Sequence, residues 1–176
     1  VKILGVDPGS RATGWAVVDF AASPRLVAAG VLRPQPALPF ASRLVFLHDA
    51  LAEVAAREAP DAAVVERVFS GVNAQSLIAL GEARGVLLLA LGKAGVPVAE
   101  ITPAEVKRAV AGAGSAEKEQ VRRMVASLLG KRLALDAADA AAAALAHGFV
   151  VARGGATRRP EALAAAARVV VRRPSG

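Results

Sequence analysis

The apolar positions of this chain fall into runs of two different periods. Residues 1–6, Val-Lys-Ile-Leu-Gly-Val, are a short β-branched run that ends at Asp7. Such a run predicts a strand inside a sheet, with Gly5 allowing close backbone approach. The turn Asp7-Pro8-Gly9-Ser10-Arg11 follows, then a second strand-like run over residues 13–18. After the turn signal Ala22-Ser23-Pro24-Arg25, a third run covers residues 26–32. Three consecutive strands joined by short turns predict an antiparallel meander. Pro34, Pro36 and Pro39 break the pattern. The next stretch has helical periodicity, with Leu44, Leu47, Leu51 and Val54 on one stripe. Pro60-Asp61 ends that helix, and Ala62-Ala63-Val64-Val65 reads as a fourth strand running directly into Glu66.

Residues 73–93 predict a long helix in which Leu77, Leu80, Leu87, Leu88 and Leu91 are apolar. Gly81 and Gly85 lie four apart on it, which suits either packing on the sheet or a contact between subunits. Gly95 closes the helix, and residues 96–99 predict a fifth strand that Pro97 favours at an edge. Thr102-Pro103-Ala104-Glu105 is a capping box with proline at the first helical position. It opens a short helix carrying Lys107 and Arg108. Ser115 is the expected N-cap of the next helix, which carries Val121, Met124, Val125 and Leu128 and stops at Gly130. The last helix starts near Asp136 and runs through alanines to His147 or beyond. The fold class is therefore α/β: a five-stranded mixed sheet, three antiparallel strands then two parallel, flanked by helices. One domain is expected over residues 1–152. Residues 153–176 read as a mobile basic tail, with one short helix over 161–167.

A length of 176 residues, 55% of them hydrophobic, suffices for one domain with a sizeable core. The absence of cysteine excludes disulfides, thiolate metal sites and a cysteine nucleophile. Two histidines, His48 and His147, leave little room for a histidine-rich metal site or a serine triad. No apolar run is expected to approach a membrane span and no signal segment is read at the N-terminus. A soluble cytoplasmic protein without membrane attachment is expected. The formal charge of +7, from 22 basic and 15 acidic residues, suits a polyanionic partner, nucleic acid first.

Acidic residues end the first and fourth strands. If those strands are neighbours, Asp7 and Glu66 meet at one sheet edge. In Asp136-Ala137-Ala138-Asp139, the i, i+3 spacing puts both carboxylates on one helix face. Each motif also has a plain reading: Asp-Pro-Gly is a common turn, and Asp136 and Asp139 suit an N-cap with an acid in the first turn. Taken together, the four make an all-oxygen set that selects Mg²⁺ or Mn²⁺. Two such ions ~3.5–4 Å apart activate water and stabilise the leaving oxygen in phosphodiester cleavage. The metals would neutralise the acids while lysines and arginines hold phosphates.

The order and spacing of several segments resemble the RuvC family of Holliday-junction resolvases, from about residue 3 to 150. They are residues 3–11, Thr13-Gly14, Glu66-Arg67-Val68-Phe69, Asn73, Leu80-Gly81, Ala83-Arg84-Gly85-Val86, Val106-Lys107, residues 114–118 and residues 136–140. The resemblance implies a ribonuclease-H-like fold. It implies that Asp7, Glu66, Asp136 and Asp139 are catalytic and bind two Mg²⁺ or Mn²⁺ ions per subunit. Lys107 and Lys118 would lie beside the scissile phosphate, and Phe69 would stack on bases at the junction. Asn73 joins the implied DNA-binding set. Arg11, Arg67 and Arg84 are read as phosphate contacts or as solvated surface. Phe69 is expected to be exposed, because Ser70-Gly71-Val72 after it is loop-like; such stacking is worth ~1–3 kcal/mol per base.

The implied activity is symmetric nicking of four-way DNA junctions by a homodimer, leaving 5′-phosphate ends, in homologous recombination and DNA repair. A branch-migration motor is the implied partner, and the 73–93 helix is the expected subunit contact. The tail departs from the family pattern, so the resemblance implies no role for it; its basic residues suit either holding a polyanion or solubilising the chain end. Two other classes compete. An ATP-binding sugar-kinase or chaperone-type domain also opens with a strand, an Asp and a Gly-rich turn, but needs two such domains. A junction-binding module without catalysis would be expected if an acidic position were lost, and all four are present.

Overall fold

The computed structural model describes residues 1–67 and 73–152. The strands are β1 (Lys2–Asp7), β2 (Thr13–Phe20), β3 (Pro24–Leu32), β4 (Ala62–Glu66) and β5 (Val98–Ile101). They form one five-stranded sheet in the order β3-β2-β1-β4-β5. β1, β2 and β3 are the expected antiparallel meander, and β1 pairs β4, and β4 pairs β5, in parallel. Val6 lies opposite Val65, one residue before each strand's acid, so Asp7 and Glu66 leave the sheet side by side.

The helices are α1 (Phe40–Glu58), α2 (Ala74–Lys93), α3 (Pro103–Ala111), α4 (Lys118–Leu129) and α5 (Leu135–Ala152). The pleat divides the strand residues between two cores. Leu4, Val6, Val17 and Val65 pack under α1 and α2 with Leu47, Leu51, Leu87 and Leu91. Ile3, Ala16, Val18 and Val64 pack under α3, α4 and α5.

α5 lies against β1 and β2 and is built almost wholly of small residues; Ala137, Ala138 and residues 140–144 are all buried. Two glycines let it approach. A Cβ on Gly5 would strike the Ala140 carbonyl, and one on Gly14 would strike the Asp136 carbonyl. The helix backbone thus rests on strand backbone, and its first turn reaches the sheet edge where Asp7 emerges.

Several expectations shift. β5 begins at Val98 rather than residue 96, because the Val96 N–H donates to the Leu91 carbonyl at 3.1 Å and Pro97 still belongs to the entry into the strand. The edge position holds. α4 is capped by Glu117 rather than Ser115: the Ala116 N–H donates to the Ala113 carbonyl at 3.1 Å, and that turn delays the helix until Lys118. Asp136 lies inside the first turn of α5, which starts at Leu135, so the plain N-cap reading fails. On α2 the buried stripe is Ala83, Leu87, Ala90 and Leu91. Gly81 and Gly85 face open space, which removes sheet packing as their explanation. Finally, α2 and α5 are each long and apolar enough, by length and composition, to cross a membrane. The expectation that no segment approaches that limit was too strong. α5 is the core helix of the domain, and α2 carries Glu82, Arg84 and Lys93.

Gly14→Ala should lower stability in urea unfolding by roughly 1–3 kcal/mol, because the added methyl must push α5 off β2. Gly81→Ala, in open space, should raise stability by about 0.5–1 kcal/mol through helix propensity. Unchanged stability in Gly14→Ala would contradict the backbone contact.

Candidate active site

The turn after β1 is held rigidly. Thr13, fully buried, donates its hydroxyl to the Gly9 carbonyl at 2.9 Å and accepts from the Gly9 N–H at 3.3 Å. A Cβ on Gly9 would meet the Ala12 carbonyl, so the turn closes only on glycine. Asp7 therefore stands on a fixed strand end. Glu66 ends β4 beside it, and α5 brings Asp139. The capping box of α3 forms as expected: the Glu105 N–H donates to Thr102 Oγ1 at 3.2 Å, and the Thr102 N–H donates to Glu105 Oε2 at 2.8 Å. The Thr102 hydroxyl, donating to Glu105 Oε2 at 2.7 Å, and then the Thr102 N–H hold the Glu105 carboxyl below the usual carboxylate range. α3 then presents Lys107, and the first residue of α4 presents Lys118. Asp7, Glu66, Asp139, Lys107 and Lys118 line one cleft of about 60 Å³, walled by Val106, Val121 and Ala142. That volume admits a few water-sized species.

Burial and crowding set the charge of this cleft. The Asp7 carboxyl is raised from 3.8 to about 7, first by burial, then by repulsion from Glu66 and Asp139, with Lys118 opposing. Glu66 is raised by burial and by Asp139, against Lys118 and Lys107. Asp139 is held by a two-pronged contact: Arg122 Nε donates to Oδ1 at 3.2 Å and Nη2 donates to Oδ2 at 3.0 Å. Lys118 Nζ lies 4.0 Å from Asp139 Oδ2. Asp136 stands outside the cleft lining, where Arg33 Nη2 donates to its Oδ2 at 3.1 Å, yet its charge still reaches Asp7.

The donor chemistry fits hard divalent cations: all oxygen, closely spaced and poorly solvated. Burial first, and repulsion second, push Asp7 and Glu66 up, and a bound cation would offset both by favouring the charged carboxylates. Among the described residues, however, no three His, Asp or Glu side chains are arranged around a single point as they stand. Arg122 and Arg33 draw Asp139 and Asp136 toward themselves.

The remaining expected DNA contacts divide. Arg11 is exposed on the turn after Asp7. Arg67 Nε lies 3.1 Å and Arg84 Nη2 2.8 Å from Glu100 Oε2, so the two guanidinium groups share one carboxylate at the β5 edge and keep a net positive charge there. Asn73 caps α2, its Oδ1 accepting from the Ser76 N–H at 2.9 Å. Phe69 and the tail from residue 153 lie outside the described residues. Two residues of the site escaped sequence reasoning, Arg122 and Arg33. Arg122 follows Lys118 by four residues and so shares its helix face. Arg33 directly follows β3 at the edge where Asp7 emerges.

Three comparisons bear on this arrangement. The family model described as crossover junction endodeoxyribonuclease RuvC matches residues 3–147. The crossover junction endodeoxyribonuclease RuvC of Azorhizobium caulinodans is 48% identical over 167 residues, covering 93% of this chain and 97% of its own. That of Alkalilimnicola ehrlichii is 52% identical over 151 residues, covering 83% and 90%. The structure of Thermus thermophilus RuvC in complex with Holliday junction substrate superposes with a TM-score of 0.81 at 36% identity, covering 88% of this chain and 96% of that one.

The raised Asp7 carboxyl has a signed consequence for the metal-free protein. Unfolded, the group ionises near 3.8; folded, near 7. Between those values the native state binds the extra proton, so stability falls as pH rises and the full penalty stands above about 7. Asp7→Asn should therefore melt higher than the parent at pH 8, by an amount on the order of a few kcal/mol at most, and show no gain at pH 3.5. Thermal melts in chelator across that range check it; a gain equal at both ends would refute the assignment.

Proposed function

The chain belongs to the crossover junction endodeoxyribonuclease RuvC family, and we propose that it is a structure-selective endonuclease that resolves four-way (Holliday) DNA junctions by paired nicks. The observation that carries this reading is the convergence of Asp7, Glu66 and Asp139 with Lys107 and Lys118 in one cleft. An acidic pocket flanked by lysines suits metal-assisted attack of water on a phosphodiester. The phosphorus–O3′ bond breaks, and the products are a 5′-phosphate and a 3′-hydroxyl. The catalytic nuclease domain is residues 1–152; the basic segment 153–176 carries no assigned role.

Asp7, Glu66, Asp136 and Asp139 would hold two Mg²⁺ or Mn²⁺ ions. When bound, these supply a nucleophilic hydroxide at neutral pH and charge stabilisation at the departing oxygen. The chain's own groups do the rest. Lys107 and Lys118, from separate helices, offer ammonium groups to the non-bridging phosphate oxygens, where negative charge grows in the transition state. Arg122 answers the half-buried Asp139, and Arg33 the more exposed Asp136, in the metal-free protein and so lessen the repulsion among the acids. Arg11 reaches the backbone of the bound strand, and Phe69 stacks on an unpaired base. Arg67 and Arg84, tied to Glu100, brace the end of β4 against α2 and β5.

A homodimer suits a substrate with near two-fold symmetry, since two identical sites make two identical cuts. The exposed face of α2 supports that contact: Leu77, Ile78 and Leu89 are exposed, with open space over Gly81 and Gly85 between them. Action on chromosomal DNA places the protein in the bacterial cytoplasm, beside a branch-migration motor. A junction-binding module without catalysis is disfavoured by four occupied acidic positions. A sugar-kinase-type nucleotide domain is disfavoured by the match of residues 3–147 to the junction-nuclease family.

Asp7→Asn should lose nicking of a synthetic four-way junction in Mg²⁺ by at least about a thousandfold while retaining junction binding. Gel mapping of labelled strands reads the cuts, which should fall symmetrically on two strands of like polarity. Ordinary cleavage by Asp7→Asn would remove it from the mechanism. Leu89→Glu should shift sedimentation from dimer to monomer; a parent that sediments as a monomer at micromolar concentration would refute the subunit contact.

A further inference from the structure

The turn that follows Asp7 forms one wall of a second, larger depression. Residues 8–12, the first turn of α1 and the first half of α2 enclose an open groove of about 910 Å³. That is near the top of the ~300–1,000 Å³ range of small-molecule sites. Its lining is mixed, with apolar Phe40, Ile78 and Leu80 beside polar and cationic groups. Arg11 and Arg43 stand against one carboxylate, Glu82, with Gln75 and Ser76 as further polar groups. Neither arginine has an ion pair among the described residues. Arg43 is also short of a partner in another way: its Nε is shut from solvent and donates to nothing among the described residues. A buried donor on a cation is costly to leave unanswered.

Phe40 and Arg43 are three apart on α1 and meet on one face. The Arg43 guanidinium carbon lies 5.0 Å from the centroid of the Phe40 ring, within cation–π range. The N-terminus of α1 adds to the cationic field. Its N-cap, Pro39, makes no side-chain cap bond, so the first N–H groups of α1 lack that partner. The groove thus combines two cations without an ion pair among the described residues, a helix N-terminus and a cation–aromatic pair, and it adjoins the strand end that bears Asp7.

Resting on the junction-nuclease reading, we propose that this groove holds the sugar–phosphate backbone and a splayed base of the DNA strand that continues from the scissile phosphate. Arg11 and Arg43 take phosphate oxygens, and the Phe40–Arg43 pair is the surface on which the base stacks. Bases inside a duplex cannot reach such a surface, because their faces are already stacked; at the exchange point of a four-way junction held open, stacking is interrupted and a base face becomes available. The path follows from connectivity. Residues 8–12 separate the cleft from the groove, so a strand seated at Asp7 crosses that turn to enter it.

The test is binding of a labelled four-way junction and of a linear duplex in chelator, between 50 and 200 mM salt, with nicking by the parent in Mg²⁺ or Mn²⁺ assayed alongside. Arg43→Gln should weaken junction binding roughly tenfold and flatten the slope of log K against log salt by about 0.7–0.9. Phe40→Leu should weaken junction binding several-fold while leaving that slope and duplex binding unchanged. If Arg43→Gln does not fold, Arg43→Lys decides: a retained slope with reduced preference for the junction supports the groove, and unchanged binding overturns it. Unchanged affinity and slope in Arg43→Gln, with a parent that nicks junctions, overturn the groove and leave the nuclease. A change from dimer to monomer in Arg43→Gln overturns it by assigning the groove to the subunit contact. A parent that nicks no junction with either metal overturns the nuclease reading itself.

Discussion

The fit of the α5 backbone onto β1 and β2 is the constraint on which the rest of the molecule depends. Gly5 and Gly14 have no Cβ where the Ala140 and Asp136 carbonyls come to rest. The facing side of α5 is alanine, so helix and sheet meet without large side chains between them. A helix held that close has little freedom to slide or roll, because interiors packed at crystal-like density resist displacement. Its first turns are therefore fixed relative to the ends of β1 and β4. Asp139 arrives beside Asp7 and Glu66 because the backbone contact leaves it nowhere else to go.

That placement creates an electrostatic problem which the chain solves with named cations. Three carboxylates share a cleft of about 60 Å³, and the Asp7 carboxyl is pushed up to about 7. Left alone, such a cluster would favour separation of the elements that bear it. Arg122 holds Asp139 through two hydrogen bonds, Arg33 holds Asp136, and Lys107 and Lys118 lower the load on Glu66. The residual strain on Asp7 is what a hard divalent cation would relieve, so the feature that destabilises the metal-free fold is the one that suits it to metal chemistry.

The two faces of the sheet have separate duties. The α3–α5 side supplies both lysines, the arginine clamp on Asp139 and the acids of α5. The α1–α2 side keeps an ordinary leucine core toward the sheet and turns an unusual surface outward. α2 shows Leu77, Ile78 and Leu89 to solvent with open glycines between them, and α1 opens with the Phe40–Arg43 pair. The turn after Asp7 joins the two sides, since one end of it belongs to the catalytic cleft and its middle borders the groove. The overall charge of +7, from 22 basic and 15 acidic residues, suits surfaces that meet a phosphate backbone, while the three acids of the cleft suit cations.

Much of this was legible in the amino-acid order alone. Strands declare themselves by short β-branched runs, and a carboxylate directly after such a run can only leave at a sheet edge; Asp7 and Glu66 were readable for that reason. The capping box at Thr102 and the i, i+3 spacing of Asp136 and Asp139 are local and depend on few residues. The counterions were not legible. Arg33 and Asp136 are 103 residues apart and Arg122 and Asp139 are 17 apart, and nothing local marks either pair. Nor was the pairing of Arg67 and Arg84 with Glu100, which needs β4, β5 and α2 to be assembled first. The outward face of α2 could not be chosen from sequence because apolar residues surround that helix, so its period does not point. Sequence by itself determined which elements form and which residues end them, since those follow from steric and hydrogen-bonding rules within a few residues. Tertiary structure alone decided which charges meet, because ion pairs are set by distance through space, and that distance exists only once α5 has closed onto its two glycines.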